Sequence, residues 1–133
     1  MKYIALASLL FINSAAVLAN SAAVDALLES YRAAGATSTD AARGEQLWKQ
    51  KNIDRSSGDK RACASCHSSQ LTNTGKHVRT GKPIEPLAPS VNSKSLTDRA
   101  NIEKWFKRNC KWTLGRECDA QEKADLLRFI SQQ

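Results

Sequence analysis

The spacing of apolar residues predicts two helices in the first part of the chain. The first has apolar positions three and four residues apart, with Ser21 as a possible N-cap and Gly35 as its stop. A second predicted helix begins near Asp40 and fades before a polar loop over residues 52–60. The apolar positions of the first helix are Val24, Leu27, Leu28 and Tyr31.

Two more helices are predicted in the last third of the chain. The third runs from about Asp98 to Asn109, with Thr97 or Asp98 as its cap. The fourth begins at Asp119, where Glu122 completes a capping-box pattern ahead of a strongly apolar face. Residues 69–96 hold all three prolines and show no convincing strand pattern, so they predict a long irregular segment.

These elements predict one small all-α domain. Its protein-only core is modest, and a long irregular loop is unusual in such a domain unless it covers a ligand. Gly44 falls inside the second helix, where glycine costs roughly 1 kcal/mol relative to alanine. Either another helix crosses closely at Gly44 or the glycine is simply tolerated. We predict a close crossing with the face of the last helix that holds Phe129.

The run Arg61-Ala62-Cys63-Ala64-Ser65-Cys66-His67 contains one CxxCH motif. This arrangement attaches haem through two cysteine thioethers and offers the histidine to iron. One helical turn places Cys63 and Cys66 near one face and makes His67 the proximal axial ligand. Zinc is the competing interpretation, but it needs two more ligands, and the remaining cysteines form no second CxxC. We predict one covalently bound haem c.

Residues 1–19 are typical of a secretory signal peptide, with Lys2 before a mostly apolar run and cleavage after Ala19. The alternative is a retained anchor, but the run is shorter than the ~20 residues of a spanning helix. We therefore predict a periplasmic domain over residues 20–133 that is not inserted in a membrane. Cys110 and Cys118 are the two cysteines outside the haem motif, and the periplasm is an oxidising compartment. The simplest interpretation is that they form a disulfide that closes a short loop.

The composition is basic, with 20 Lys and Arg against 13 Asp and Glu and a formal charge of +7. An acidic redox partner would be steered to a basic surface near the haem, although a solvated helix face has the same pattern. Nucleic acid is not an expected partner, because the chain has an export signal and no nucleic-acid-binding module. The basic residues in question are Lys104, Lys107, Arg108, Lys111 and Arg116.

The sequence offers several candidates for the distal ligand of the iron. The usual distal ligand is methionine, but the single methionine is Met1, inside the predicted signal peptide. His77 would give a bis-histidine haem if it bound the iron. The alternative places His77 at the surface or beside a haem propionate.

Asn109 ends an apolar stripe on the third predicted helix. A buried amide without a partner costs roughly 1–3 kcal/mol, so Asn109 needs a hydrogen bond, a helix end or a metal. Periodicity leaves two interpretations open, a distal iron ligand or an ordinary residue at the C-terminus of the helix. The other members of the stripe are Ile102, Trp105 and Phe106.

Longer runs resemble the sphaeroides haem protein family of oxygen-binding c-type cytochromes, from Tyr31 to the last helix. The order of a helix, CxxCH, a long loop and a final helix also resembles class I cytochrome c, so we expect a class I cytochrome c-like fold with an extra N-terminal helix and a long haem-wrapping loop. The runs that carry the resemblance include Arg79-Thr80-Gly81-Lys82-Pro83, Arg108-Asn109-Cys110, Gly115-Arg116-Glu117-Cys118 and Glu122-Lys123-Ala124-Asp125-Leu126-Leu127.

This resemblance implies roles for the residues left open above. In the family, the residue matching Asn109 is the distal ligand of oxidised iron, and the cysteines matching Cys110 and Cys118 form a disulfide beside it. Cytochrome c double-prime looks similar but carries histidine where this chain has Asn109. Neither pattern gives His77 an axial role. The family also implies a dihaem cytochrome c as electron donor. Similar cytochromes further suggest that a backbone carbonyl of residues 86–89 accepts the Nδ1 hydrogen of His67.

A neutral amide is a weak ligand that ferric iron holds better than ferrous iron. We therefore expect reduction to release Asn109 and to admit oxygen or nitric oxide opposite His67. Two alternatives remain, a plain electron carrier with a saturated haem and a small enzyme that reduces oxygen, peroxide or nitric oxide. The sequence nominates no acid or base near Asn109 except His77, so no catalytic residue is predicted.

Overall fold

The computed structural model describes residues 15–133, which form five helices and four two-residue strands. The all-α prediction is confirmed, although the two short antiparallel hairpins were not predicted. The strands are β1 (Asn52–Ile53) paired with β2 (Lys60–Arg61), and β3 (Gly75–Lys76) paired with β4 (Pro83–Ile84). The helices are α1 (Ala15–Ala33), α2 (Ala41–Lys49), α3 (Ala64–His67), α4 (Arg99–Leu114) and α5 (Ala120–Ser131).

The N-terminal helix is longer than the sequence pattern indicated. It begins at Ala15, so Ser21 lies inside α1 and is not its N-cap. Alanine is the strongest helix former, and several alanines precede Ser21. The predicted signal peptide falls mostly outside the described residues, and it stays a prediction. Within residues 15–133, none of the helices is both long enough and apolar enough to cross a membrane.

The end of α4 differs from its predicted position. Asp98 caps the helix as expected, because its side chain accepts from the Asn101 N–H at 2.8 Å. The helix continues past Asn109 to Leu114, and it ends where Gly115 adopts a left-handed φ of +73°. Asn109 therefore lies in the helix interior, and its interpretation as a C-terminal residue is wrong.

The core lies where α1 and α2 pack against α5 and where α4 contacts α1. Trp48 of α2 contacts Phe129 of α5 with ring centroids 6.0 Å apart, and Tyr31 of α1 meets Phe106 of α4 edge-on at 6.5 Å. Other buried members are Val24, Leu27, Leu28, Leu71, Ala88, Ile102, Ala124, Leu126, Leu127 and Ile130.

Gly44 lies at the crossing of α2 and α5. A Cβ atom there would stand 2.1 Å from the Asp125 carbonyl oxygen and 2.8 Å from the Phe129 Cβ. Only glycine allows this approach, so the predicted contact with the Phe129 face is confirmed.

The buried carboxylate of Asp125 in α5 also connects α2 to α5 by hydrogen bonds. The Asp125 side chain accepts from Arg43 Nε at 2.8 Å and from a second guanidinium nitrogen at 2.9 Å. The Asp40 N–H and the Gln121 amide donate to it at 2.7 and 3.0 Å. These donors offset the loss of hydration of the buried Asp125 carboxylate.

Gly44→Ala is expected to lower the free energy of unfolding by about 1–3 kcal/mol, because the added methyl group overpacks the α2–α5 crossing. Urea unfolding of the haem-loaded protein measures the loss. Gln46→Ala is the matched control on the exposed side of α2, and its effect should stay within about 0.5 kcal/mol. Equal stability of the two variants would contradict the close crossing.

Candidate haem site

The CxxCH motif folds as one short helical turn. The N–H groups of Cys66 and His67 donate to the Cys63 carbonyl at 3.3 and 3.1 Å. Both Cys63 and Cys66 are half-buried free thiols. Burial raises the pKa of the Cys63 thiol to about 11, while a hydrogen bond with the Thr113 hydroxyl opposes that rise. Two half-buried thiols one helical turn apart suit thioether attachment of a haem.

The imidazole of His67 is largely enclosed, and burial lowers its pKa. Its Nδ1 atom is buried and has no hydrogen-bond partner. The Trp48 ring lies 5.5 Å away between centroids, and Trp48 Nε1 donates to the Ser68 carbonyl at 3.0 Å. A neutral imidazole that is restrained by its surroundings is suited to bind haem iron through one of its nitrogens.

We expected a carbonyl of residues 86–89 to accept the Nδ1 hydrogen of His67, and this expectation is wrong. The Pro86 carbonyl instead accepts from the Asn92 amide at 2.8 Å. The Leu87 carbonyl accepts from the Ser95 hydroxyl at 2.6 Å. These local bonds close the loop on itself and take the carbonyls away from the histidine.

The β3–β4 hairpin packs directly on the motif. A Cβ atom on Gly75 would stand 2.3 Å from the Cys66 carbonyl oxygen and 3.0 Å from the His67 Cα. The absence of a side chain at Gly75 therefore lets β3 lie against the turn that bears the haem ligands.

The C-terminal half of α4 lies against the other side of the motif. Thr113 is buried and lies close enough to the Cys63 thiol to lower its pKa. The Arg61 guanidinium stacks 4.8 Å from the centre of the Trp112 ring and donates to the Trp112 carbonyl at 3.3 Å. Asn109 is half-buried one helical turn before Thr113, on the same face of α4.

Cys110 and Cys118 lie at bonding distance next to Asn109. Their sulfur atoms are 1.99 Å apart, their Cα atoms are 5.5 Å apart, and both residues are buried. The pair connects the last turn and a half of α4 to the segment that leads into α5. The residue after Asn109 is thereby tied to the core.

His77 is placed at the turn of the β3–β4 hairpin. Its Nδ1 atom accepts from the N–H groups of Arg79 and Thr80 at 3.3 and 3.2 Å. Its own N–H donates to the Lys82 carbonyl at 2.8 Å. His77 thus stabilises the turn, which is a structural role that neither sequence interpretation included.

The basic residues predicted to attract an acidic partner are partly neutralised in the structure. Lys111 and Lys107 lie 3.1 and 3.8 Å from a Glu117 carboxylate oxygen, and these cations lower the pKa of Glu117. Arg116 pairs with Glu122 at 2.7 Å. The positive potential of this α4 surface is lower than its lysine and arginine content suggests.

Two comparisons place this architecture among known proteins. Residues 34–130 match the family described as Domain of unknown function (DUF1924). The chain is 41% identical over 107 residues to cytochrome c-type protein SHP of Cereibacter sphaeroides, covering 80% of this chain and 81% of that protein. The chain belongs to the SHP family of c-type cytochromes. Cytochrome c'' of Methylophilus methylotrophus is also similar, at 39% identity over 85 residues, which are 64% of this chain and 59% of that protein.

Solved structures agree with this SHP-family assignment. Oxidised SHP, described as an oxygen-binding cytochrome c, superposes with a TM-score of 0.74 at 38% identity, covering 83% of this chain and 96% of that chain. Oxidised cytochrome c'' also gives 0.74, at 32% identity, covering 88% and 96%. The predicted class I cytochrome c-like fold is confirmed, and haem c is the cofactor that the family implies.

Sequence reasoning missed three residues of the site. Trp48 contacts His67 from another helix, and Arg61 reaches Trp112 across 51 residues of chain. Neither contact leaves a local pattern in the sequence. Thr113 was detectable, since it follows Asn109 by four residues and so shares its helix face.

Proposed function

We propose that this protein is an exported monohaem cytochrome whose distal ligand Asn109 leaves the iron on reduction and admits oxygen or nitric oxide. The observation that carries the proposal is the position of Asn109 on the α4 face that contacts the haem motif through Thr113 and Cys63. The relative described as an oxygen-binding cytochrome c supports the choice of ligand class.

Cys63 and Cys66 would hold the haem by thioether bonds, and His67 would be its fixed axial ligand. When bound, the haem supplies an iron that changes oxidation state and accepts a diatomic ligand. Burial keeps the His67 imidazole neutral, and contact with Trp48 restrains its ring. The fixed side of the site therefore remains the same in both oxidation states.

Asn109 has the properties of a labile ligand. It lies in the interior of α4, and within residues 15–133 its side-chain amide makes no hydrogen bond. The amide is therefore free to take a metal as its partner. A neutral amide is a weak ligand that ferric iron holds better than ferrous iron, so reduction of a bound haem would weaken the bond to Asn109.

A Cys110–Cys118 disulfide would limit the retreat of Asn109. The cysteine that follows Asn109 is buried and lies at bonding distance from its partner, so motion of the ligand is confined to its side chain and a local adjustment of α4. A disulfide also suits an oxidising compartment, which supports export to the periplasm.

Reduction requires an electron donor outside this chain. The formal charge of +7 favours a donor with an acidic surface, and a dihaem cytochrome c is the candidate that the family resemblance suggested. The protein would receive an electron from that donor and then bind its small ligand.

The proposal is tested by absorption spectra of the reduced protein with and without nitric oxide. We expect the reduced spectrum to change when nitric oxide is added, because only His67 then holds the iron. A plain electron carrier with two strong ligands would show the same spectrum in both samples, and that result would overturn the proposal.

A further inference from the structure

The β3–β4 hairpin presents a compact cationic surface next to the haem motif. Its base, Gly75, packs against Cys66 and His67 as described above. Beyond the base, Lys76, Arg79 and Lys82 are all exposed. A partner that touches this hairpin therefore comes close to the residues that attach the haem.

None of these three cations is neutralised by a carboxylate of the described residues. Across residues 15–133, no carboxylate lies within 4.0 Å of Lys76, Arg79 or Lys82. The Lys76 side chain runs along the turn, with its Cε atom 3.6 Å from where a Gly81 Cβ would stand. Unpaired charges on one small element give a stronger local field than paired ones.

The hairpin is held in shape by its own hydrogen bonds. The Gly81 N–H donates to the His77 carbonyl at 2.8 Å, and His77 Nδ1 accepts from two N–H groups of the turn. Val78 is 55% exposed at the tip, between the cations. A fixed apolar centre with charges around it suits a transient protein contact, where charge sets the association rate.

The α4 surface is the competing candidate, and its charges are differently arranged. Lys107 and Lys111 share Glu117. Arg108 and Lys104 lie over the Trp105 ring at 5.0 and 5.6 Å from its centre. Glu117 offsets part of the charge of the first pair and the Trp105 ring restrains the second pair, whereas the hairpin cations have no carboxylate partner among residues 15–133.

We propose that Lys76, Arg79 and Lys82, together with Val78, form the docking surface for the acidic face of the electron-donor protein. This inference rests on the proposed function, because it assigns a surface to the donor that reduces the haem. A lipid membrane is a weaker candidate, since polybasic segments that bind anionic lipid usually hold about 4–8 Lys and Arg.

The test compares two charge-reversed forms of the haem-loaded protein. The hairpin variant combines Lys76→Glu, Arg79→Glu and Lys82→Glu. The matched control combines Lys104→Glu, Lys107→Glu and Lys111→Glu, which changes the net charge by the same amount. Stopped-flow absorption follows their reduction by reduced flavodoxin, an acidic flavoprotein, at low and high ionic strength. Neutral lumiflavin semiquinone serves as a reductant that is indifferent to charge.

We expect the hairpin variant to be reduced by flavodoxin roughly tenfold more slowly than the wild type at low salt. The difference should fade at high salt, where the Debye length falls to about 3 Å. The α4 variant should stay within about threefold of the wild type, and lumiflavin should reduce all forms alike. A hairpin variant with the wild-type rate, or an equal or larger loss in the α4 variant, overturns the inference.

Two further measurements keep the outcomes separate. If the charge-reversed hairpin variant does not fold with its haem, a neutral variant replaces it. This variant combines Lys76→Gln, Arg79→Gln and Lys82→Gln, and flavodoxin should reduce it more slowly than the wild type but by less than tenfold. Co-sedimentation with phosphatidylserine vesicles tests whether the surface binds lipid. If the wild type binds the vesicles, the hairpin variant does not, and both are reduced by flavodoxin at the same rate, the surface is a lipid site and the inference is overturned. Nitric oxide binding by the reduced protein is scored independently, because its absence contradicts the proposed function and leaves the flavodoxin comparison intact.

Discussion

Asn109→Ala is expected to open the oxidised iron to added ligands. The oxidised absorption spectrum should change, and the affinity for added imidazole should rise about tenfold to a hundredfold. An internal ligand lowers the apparent affinity by the fraction of molecules in which it is detached, so a detached fraction of about one-tenth to one-hundredth gives this range. Imidazole titration of the oxidised protein, followed by absorbance, measures the change.

The reduced form of the same variant should behave differently. If Asn109 has already left the reduced iron, its removal should alter nitric oxide affinity by less than about threefold. Asn101→Ala is the matched control, because Asn101 is exposed on the same helix, and it should change neither state. An oxidised spectrum that is identical in Asn109→Ala and the wild type would contradict the assignment of Asn109 as the distal ligand.

Replacing Cys110 and Cys118 together by serine is expected to weaken both the fold and the return of Asn109. A sequence separation of 8 residues closes a short loop, for which the chain-entropy relation gives about 2–3 kcal/mol of stability. Thermal unfolding of the oxidised protein measures this loss. The imidazole affinity of the oxidised iron should also rise severalfold, because the segment after Asn109 is no longer tied to the core and the closed state is less favoured.

Gly44→Ala separates these two effects of the double serine variant. It is expected to cost a similar amount of stability at the α2–α5 crossing, which is formed by other residues than those around Asn109. Its imidazole affinity should therefore equal that of the wild type. If Gly44→Ala raises the affinity as much as the double serine variant, the cysteine pair acts on overall stability and not on the ligand.

Local sequence was sufficient for features that depend on neighbouring residues. The CxxCH turn, the Asp98 cap and the Asp119–Glu122 capping box each use residues within one helical turn, and the structure has all three. The Gly44 crossing was also predictable, because a glycine inside a helix needs a compensating reason.

Features that depend on distant residues were not predictable in this way. The sequence predicted that α4 ends at Asn109, because a polar residue follows the apolar stripe there. In the structure the helix continues to Leu114 and ends where Gly115 adopts a left-handed conformation. The carbonyl expected to accept a hydrogen bond from His67 could not be chosen from the sequence. Only the folded loop shows that the Pro86 and Leu87 carbonyls accept from the side chains of Asn92 and Ser95. Local periodicity does not encode such long-range choices.

Pairing between side chains changed the interpretation of charge in the same way. The sequence pointed to the α4 surface because its lysines and arginines are dense there. The structure supplies Glu117 and Glu122 as partners for that surface and leaves Lys76, Arg79 and Lys82 without any in the described chain. Counting charges along a sequence cannot distinguish these two arrangements.

The central claim is that iron loses one axial protein ligand when it is reduced. X-ray absorption spectroscopy of the oxidised and reduced protein, with no ligand added and oxygen excluded, measures the coordination number in both states. We predict six-coordinate oxidised iron, with Asn109 and His67 as its axial ligands, and five-coordinate reduced iron with His67 alone. Six-coordinate iron in both states would contradict this account.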